Sequence, residues 1–367
     1  MITLSSRQVI TSRQLLYILL VATFPTEGIL LPGPIIRQFG KDAIWAVLLG
    51  AIYAVGPLLL SLSIVRHTKG TSLIDVMHGR VRLFGRGLLL LFGLALLGPS
   101  VTIWGGYVQL LHVDLLVSTP AWAILLAALA IVIYGITGGL EVVSRVSELF
   151  VPPALVAVFL MWIAAIPWYH VGHLLPLLPQ QLNVLMVGAY QPFTFLAEIA
   201  FGSYLGTFVK DPDGVIRALS LALALNALVL MFQVMMPLLM FTGPHARILA
   251  LPPVIAVRAI HFGFLIDRLD TLVLPAWVLL VSLKLMVWAL AGGNMIADAL
   301  GIQHWRIVGQ AGVSATALWS LRLHSLGDVE KALWYVWFAT ALPLILALLV
   351  AFTLMYKLGR KKLPSRA

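Results

Sequence analysis

The chain has 367 residues, of which 61% are hydrophobic and only 10% are charged, and its mean hydropathy is +1.02. This composition excludes a soluble globular domain and indicates an integral membrane protein. The net charge of +10 does not indicate nucleic-acid binding, since the basic residues lie at the ends of apolar segments and in the tail, where they set topology and contact anionic lipid. The absence of cysteine excludes disulfides and a thiol nucleophile.

Ten apolar segments are long enough to cross a membrane, because a helix needs about 20 residues to span about 30 Å of hydrocarbon. The connections between them are short, so we predict one membrane domain over 1–367, with a basic cytoplasmic tail at 357–367. The segment 68–82 is amphipathic and is predicted to lie along the inner membrane surface. The predicted spans are approximately 12–38, 42–65, 83–111, 119–138, 141–166, 185–209, 214–242, 268–297, 306–322 and 332–356, of which the ninth has a short apolar run.

The distribution of Lys and Arg predicts the orientation. When the connections are assigned alternately to the two sides, sixteen of the 24 basic residues lie on the side of the N-terminus, seven lie on the other side, and Lys284 lies inside a span. The positive-inside rule therefore predicts that both termini are cytoplasmic, which agrees with an even number of spans.

The first and sixth spans each contain a predicted break, where proline coincides with glycine and polar side chains, at 25–28 and at 188–198. Unwound backbone in a membrane is tolerated only where it lines a cavity or binds a ligand. The halves 12–166 and 185–356 each hold five spans with the broken one first, and an odd number of spans per half inverts the second half. This pattern predicts an all-α integral membrane fold of ten helices, the LeuT-like 5+5 inverted repeat with discontinuous helices 1 and 6.

The two breaks predict where a ligand binds. A ligand carboxylate is expected on the free N–H groups after the first break, around Gly28, Ile29 and Leu30, where a helix dipole is positive. The pocket for the rest of the ligand is expected from the sixth span. The predicted ligand-binding residues are Thr26, Gly28, Ile29, Tyr190, Gln191, Phe193 and Phe195.

Three ionisable residues lie deep inside predicted spans: Glu27, Glu198 and Lys284. A charge at the membrane centre costs about 3 kcal/mol on insertion scales, so such residues are functional candidates. In one interpretation Lys284 pairs with a glutamate near the ligand or occupies the place of a coupling cation. In the other, the pair is structural and only fixes helix packing. Glu141, Arg145 and Glu148 are expected to form a local network on one helix face.

No catalytic motif is present: the sequence lacks a phosphate-binding loop, a nucleophile elbow and a zinc-protease motif. We therefore predict that the protein is not an enzyme, with no catalytic residue, metal site or cofactor.

Blocks along nearly the whole chain resemble a known family. They are 10–15 (ITSRQL) with 28–32 (GILLP), 134–135 (YG) with 139–145 (GLEVVSR), 174–179 (LLPLLP), and 267–270 (DRLD) followed by Trp277 and Lys284. In these blocks the chain resembles the spore germination permeases, the GerAB-type B subunits of nutrient germinant receptors, within the amino acid–polyamine–organocation superfamily. Glu198 and Lys284 match the acidic residue of span six and the lysine of span eight in that family. The segment 189–194 (AYQPFT) departs from it by being bulkier and more polar.

The resemblance implies a spore inner-membrane protein that recognises a small nutrient, an L-amino acid such as alanine. It also implies two partners, a membrane-bound A subunit and a C-subunit lipoprotein. Three functions remain open at this point: a receptor that signals through its partners, a proton-coupled amino acid permease, and an assembly scaffold with a vestigial pocket.

Overall fold

The computed structural model describes residues 10–68, 82–176, 178–179, 182–261 and 270–359. Helices dominate this part of the chain: α1 Ser12–Leu30, α2 Pro32–Phe39, α3 Ala43–Thr68, α4 Arg82–Leu97, α5 Ser100–Asp114, α6 Ala121–Ala164, α7 Leu182–Gly188, α8 Tyr190–Leu196, α9 Gly202–Leu205, α10 Pro212–Met240, α11 Gly243–Ile248, α12 Pro252–Arg258, α13 Asp270–Leu300, α14 Trp305–Ser320, α15 Leu326–Ala332 and α16 Leu342–Gly359. A 3-10 helix at Ala197–Phe201 and a π-helix at Leu333–Ala341 lie within the sixth and tenth spans.

These helices correspond to the ten predicted spans and confirm the all-α, LeuT-like fold class. Seven stretches of the described residues are long and apolar enough to cross a membrane by length and composition. The count is lower than ten partly because α6 is a single stretch by hydrogen bonding, although Gly139 breaks it with φ 77° and ψ −176°. That break lies between the predicted fourth and fifth spans, at a backbone conformation that glycine adopts readily. The ninth span, α14, has only 16 residues.

The first span is divided, but not where we predicted. α1 runs unbroken through Pro25 and ends at Leu30, and the division lies at Leu31, ahead of Pro32 at the start of α2. Pro25 lacks one N–H group and so removes a single helical hydrogen bond. Leu31 keeps a helical conformation, with φ −89° and ψ −39°. The division therefore follows from Pro32, which lacks an N–H group and suits the first position of α2.

The sixth span is segmented as predicted. α7 ends at Gly188 and α8 begins at Tyr190. After α8 the chain tightens into the 3-10 helix Ala197–Phe201, which carries Glu198.

The core of the bundle is formed by α1 and α13. Every residue of α1 from Ile18 to Leu30 is buried, and α1 begins with a capping box in which the Thr11 hydroxyl accepts from the Gln14 amide at 3.1 Å and the Gln14 side chain accepts from the Thr11 amide at 3.0 Å. α13 crosses α14 with almost no space between the backbones, since a Cβ at Gly309 would lie 2.4 Å from the Ala289 carbonyl oxygen. Small residues allow this approach between membrane helices.

Some predictions concern residues outside the described ranges. The amphipathic segment 68–82 falls almost entirely there, as do Asp267 and Arg268 of the DRLD block and the end of the tail from 360. Residues 357–359 of the expected tail belong to α16, which continues to Gly359. The inverted repeat boundaries and the cytoplasmic termini remain predictions.

Candidate ligand site at a buried ion pair

Lys284 lies near the middle of α13 and is 1% exposed. Its Nζ donates to both carboxylate oxygens of Glu198, at 2.9 Å and 3.1 Å, and to the Thr26 hydroxyl oxygen at 2.6 Å. The ammonium also lies 4.7 Å from the centre of the Trp288 ring. Since an ammonium has three N–H donors, every donor of Lys284 has an acceptor.

This cluster joins three spans that are far apart in sequence. Thr26 is on α1, Glu198 on the 3-10 helix of the sixth span, and Lys284 on α13. The Thr26 hydroxyl in turn donates to the Thr23 carbonyl at 3.2 Å, which fixes its lone pairs towards Lys284. The two divided spans are therefore attached to α13 through one lysine, by an ion pair to Glu198 and a hydrogen bond to Thr26. In a low-dielectric environment such contacts are strong.

Glu27 is the neighbour of Thr26 but does not join the ion pair. Its side chain is 0% exposed, and neither carboxylate oxygen has a hydrogen-bond partner among the described residues. Adjacent residues of a helix point about 100° apart, so Thr26 can face Lys284 while Glu27 cannot. A buried carboxylate without partners is costly and is retained where it has a function.

We expect Glu27→Gln to leave the free energy of unfolding unchanged or to raise it. The substitution keeps the shape of the side chain and replaces a buried carboxyl group that has no hydrogen-bond partner among the described residues. Thermal unfolding of the purified protein in nanodiscs measures this, with Glu141→Gln, whose side chain is 43% exposed, as the matched control. A large loss of stability in Glu27→Gln would mean that the carboxylate has a strong partner after all.

The cavity beside the ion pair is very small. Its volume is about 10 Å³, and Thr26, Phe195, Glu198, Lys284, Trp288 and Trp337 are among its lining residues. This volume corresponds to about one water molecule. The mid-membrane site is therefore closed in this conformation.

Only some of the predicted ligand-binding residues reach this cavity. Thr26 and Phe195 line it, whereas Gly28 and Ile29 line a separate cavity of about 350 Å³. The free N–H groups expected at Gly28 and Ile29 are not found, because both residues lie inside α1 and are not at the start of a new helix. Their role in ligand binding stays a prediction.

Three residues of the expected sixth-span pocket do not line the cavity beside the ion pair in this conformation, so their role in ligand binding stays a prediction. Tyr190 donates through its hydroxyl to the Phe338 carbonyl at 2.6 Å, and Gln191 donates to the Gln38 side-chain oxygen at 3.2 Å. Phe193 packs edge-on against Tyr53. At about 100° per residue, Phe195 projects roughly opposite to Phe193, so one helix cannot direct both rings into one pocket.

Two aromatic residues of the site were missed by the sequence analysis. Trp288 lies one helical turn after Lys284, so the i,i+4 spacing could have identified it. Trp337 lies in the π-helix of the tenth span. A π-helix turns its side chains to directions that differ from those of an α-helix, and a hydropathy pattern does not reveal this change.

Ion pairs close the bundle at both ends of the first span. Arg37 on α2 pairs with Glu330 on α15 at 3.0 Å, and at the other end Arg13 pairs with Glu148 of α6. Glu148 also accepts from Gln14 at 3.2 Å. The predicted local network is thus only partly right: Arg145 pairs with Glu141 at 2.7 Å, but Glu148 reaches across to α1.

The closed end near Glu330 leads towards the cavity beside the ion pair, which is called the central cavity below. A second small cavity is lined by Ile29, Leu30, Glu330 and Leu333 among others. Leu30 and Leu333 line the central cavity as well. These two leucines therefore separate the ion pair Lys284–Glu198 from the end of the bundle that carries Glu330.

The LeuT-like helix bundle, with divided first and sixth spans and a closed, charged site between them, is a transporter-like membrane fold. The structure is similar to two mutant forms of the manganese transporter of Eremococcus coleocola. The TM-scores are 0.66 and 0.65, each at 13% sequence identity, and each alignment covers 95% of this chain and 83% of the transporter. At this identity the likeness shows the fold alone.

The chain belongs to the spore permease family of spore germination proteins, whose family model matches residues 9–329. This match confirms the family that the sequence blocks indicated. No curated protein sequence matches the chain.

Proposed function

We propose that this chain is the membrane subunit of a spore nutrient germinant receptor. In this proposal it binds a small nutrient, an L-amino acid, at mid-membrane and triggers germination through partner subunits. The observation that carries the proposal is the buried ion pair of Lys284 with Glu198, which joins both divided spans to α13 beside a closed cavity.

The charges of the cluster suit a zwitterion. The Lys284 ammonium can bind the ligand carboxylate, while Glu198 can accept a hydrogen bond from the ligand ammonium group. Charge-assisted hydrogen bonds of this kind are about twice as strong as neutral ones. Phe195, Trp288 and Trp337 supply an aromatic wall for the rest of the ligand.

Ligand entry requires the cavity to widen, and this requirement connects binding with signalling. A cavity for about one water cannot hold an amino acid, so the ligand binds to a second conformation of the protein in which the spans pack differently. Binding raises the population of that conformation. Partner subunits in contact with the spans can respond to that shift. The family assignment supports an A subunit and a C lipoprotein as partners, the spore inner membrane as the location, and, with the basic-residue asymmetry, cytoplasmic termini.

The alternative function is a proton-coupled amino acid permease. It is favoured by the transporter-like fold and by the position of Lys284, whose ammonium lies between spans one, six and eight, where a coupling cation could otherwise bind. In that case the site would open alternately to the two sides of the membrane and carry the ligand across.

Binding and uptake measured on one preparation separate these functions. The purified chain in liposomes is tested for equilibrium binding of labelled L-alanine and other amino acids and for their uptake. We expect saturable binding without uptake, lost in Lys284→Ala and retained in the exposed control Lys331→Ala. Saturable uptake abolished by Lys284→Ala would instead establish the permease, and absence of binding to any amino acid would contradict both functions.

We expect Glu330→Gln to open the path to the central cavity. Arg37 and Glu330 are 48% and 31% exposed, so their pair contributes at most about 1 kcal/mol, and its loss can raise the open population up to about fivefold. The chain has no cysteine, so a single cysteine introduced at Thr102, a residue of the central cavity, reports access through its reaction rate with a membrane-impermeant thiol reagent.

The opposite ion pair supplies the control for this experiment. Glu148→Gln loosens the other end of α1 and should not accelerate labelling from the side of Glu330. Equal labelling rates in Glu330→Gln and the parent would mean that the Arg37 pair does not restrict access.

A further inference from the structure

The π-helix of the tenth span lies against the parts of the bundle that close the central cavity. It runs from Leu333 to Ala341 and follows α15, whose Glu330 belongs to the ion pair at the closed end. Leu333 lies between that end and the central cavity, and Trp337 lines the central cavity itself. A π-helix is rare and is frequently found at functional sites. The winding of this stretch therefore decides where the closing side chains lie.

The π-helical winding leaves one carbonyl without a helical donor. Each N–H of a π-helix donates to the carbonyl five residues before it, and the Leu342 N–H accordingly donates to the Trp337 carbonyl. The next carbonyl, that of Phe338, would need an N–H at position 343, which is a proline and has none. Phe338 is only 3% exposed, and a buried carbonyl without a partner is costly.

The Tyr190 hydroxyl of the sixth span supplies the missing hydrogen bond. It donates to the Phe338 carbonyl at 2.6 Å. The Phe338 ring also packs edge-on against the rings of Tyr190 and Phe195, with centroid distances of 6.5 Å and 5.8 Å. Tyr190 begins α8, just after the division of the sixth span, and Phe195 lines the central cavity. A contact from the divided sixth span therefore stabilises the winding of the tenth.

The Phe338 carbonyl has a second possible donor, which belongs to a different winding. In an α-helix each carbonyl accepts from the N–H four residues later, so the Phe338 carbonyl would accept from Leu342 and no longer need Tyr190. A π-helix and an α-helix turn by different angles per residue, so conversion rotates the part before the stretch relative to the part after it. Leu333 and Glu330 belong to the part that rotates, and both would leave their present positions.

We propose that Tyr190 is a positioning residue that keeps the central cavity closed, because its hydrogen bond to the Phe338 carbonyl holds span ten in the π-helical winding. When this hydrogen bond is released, the Phe338 carbonyl takes the Leu342 N–H, and Leu333 and Glu330 turn away from the path to the ion pair. Ligand binding, which needs a wider cavity, works against the hydrogen bond. Regulation of ligand binding by this contact rests on the proposed function, whereas the opening of the cavity does not.

Thiol labelling in the absence of ligand tests this role. The full chain in nanodiscs carries Thr102→Cys in the central cavity, and its reaction rate with a membrane-impermeant reagent measures opening. We expect Tyr190→Phe, which removes only the hydroxyl, to accelerate labelling about fivefold, as the loss of one hydrogen bond implies. Tyr335→Phe is the matched control, since Tyr335 is on the same π-helix and is 73% exposed. Unchanged labelling in Tyr190→Phe would overturn the proposal.

Pro343→Ala distinguishes the hydrogen bond from general packing. Alanine restores an N–H five residues after Phe338, so the π-helical winding no longer depends on the tyrosine hydroxyl. Tyr190→Phe should therefore accelerate labelling when Pro343 is present and should have no effect in the Pro343→Ala background. Equal acceleration in the two backgrounds would mean that Tyr190 acts through the packing of its ring, and would overturn the proposal.

Ligand affinity is the second measurement. Labelled L-alanine should bind to Tyr190→Phe with an apparent Kd about fivefold lower than in the parent, because a larger fraction of the protein is competent to bind. An unchanged or higher Kd beside faster labelling would overturn the regulation of binding by Tyr190. Absence of amino acid binding in the parent would contradict the proposed function, while faster labelling in Tyr190→Phe would still support its role in closing the cavity.

Discussion

Lys284→Ala is expected to abolish the nutrient response of spores that carry the variant as their only copy. It also leaves the buried carboxylate of Glu198 without its partner, and removing one member of a buried pair costs about 3–5 kcal/mol. The Thr26 contact at 2.6 Å, one of the hydrogen bonds between α1 and α13, is lost as well. The measurements are germination as a function of nutrient concentration and thermal unfolding of the purified variant.

A double variant distinguishes a ligand-binding role from a structural one. Lys284→Met combined with Glu198→Gln removes both charges and keeps the side chains close to their original volumes, so stability should largely return. The response should stay absent, because the group that would bind the ligand carboxylate is gone. Recovery of the response in the double variant would mean that the pair only fixes helix packing. Lys331→Ala, an exposed lysine on α15, serves as the surface control.

Gly309→Ala is the second substitution with a large expected effect. The added Cβ would lie 2.4 Å from the Ala289 carbonyl oxygen, and this backbone atom can move only if α13 and α14 separate. Overpacking of this kind costs about 1–3 kcal/mol. We expect a lower unfolding temperature and a smaller amount of folded protein.

The matched control is Gly56→Ala on α3. Nothing lies within 4 Å of a Cβ at that position, so the same chemical change should have no destabilising effect. Equal stability of the two variants would show that α13 and α14 are not held at the close separation described above.

The sequence predicted features that depend on local composition. Hydropathy located the spans, and Gly139 separates two of them where the apolar run pauses. Lys284 and Glu198 could be selected because a charge in an apolar span is costly and therefore marks a functional candidate. The family blocks were recognisable for the same reason, since they consist of contiguous residues.

The features that the sequence did not predict depend on helix phase and on distant pairing. Pro25 and Pro32 look alike in the sequence, yet only the second divides the first span. Tyr190 and Phe193 follow the sixth-span break as Phe195 does, but the local winding decides which ring faces the ion pair. The partner of Glu148 is Arg13, more than a hundred residues away, and no spacing rule relates them.

The unbroken α1 acts as a lever. Because the helix is continuous from Ser12 to Leu30, Thr26 beside Lys284 and Ser12 at the far end move as one rigid rod. At 1.5 Å per residue the arm from Pro25 to Ser12 is about 20 Å long, so a tilt of about 10° around Pro25 displaces Ser12 by about 3 Å. A change at the buried ion pair too small to reshape the site would thus be amplified at the membrane surface, where Arg13 and Glu148 meet.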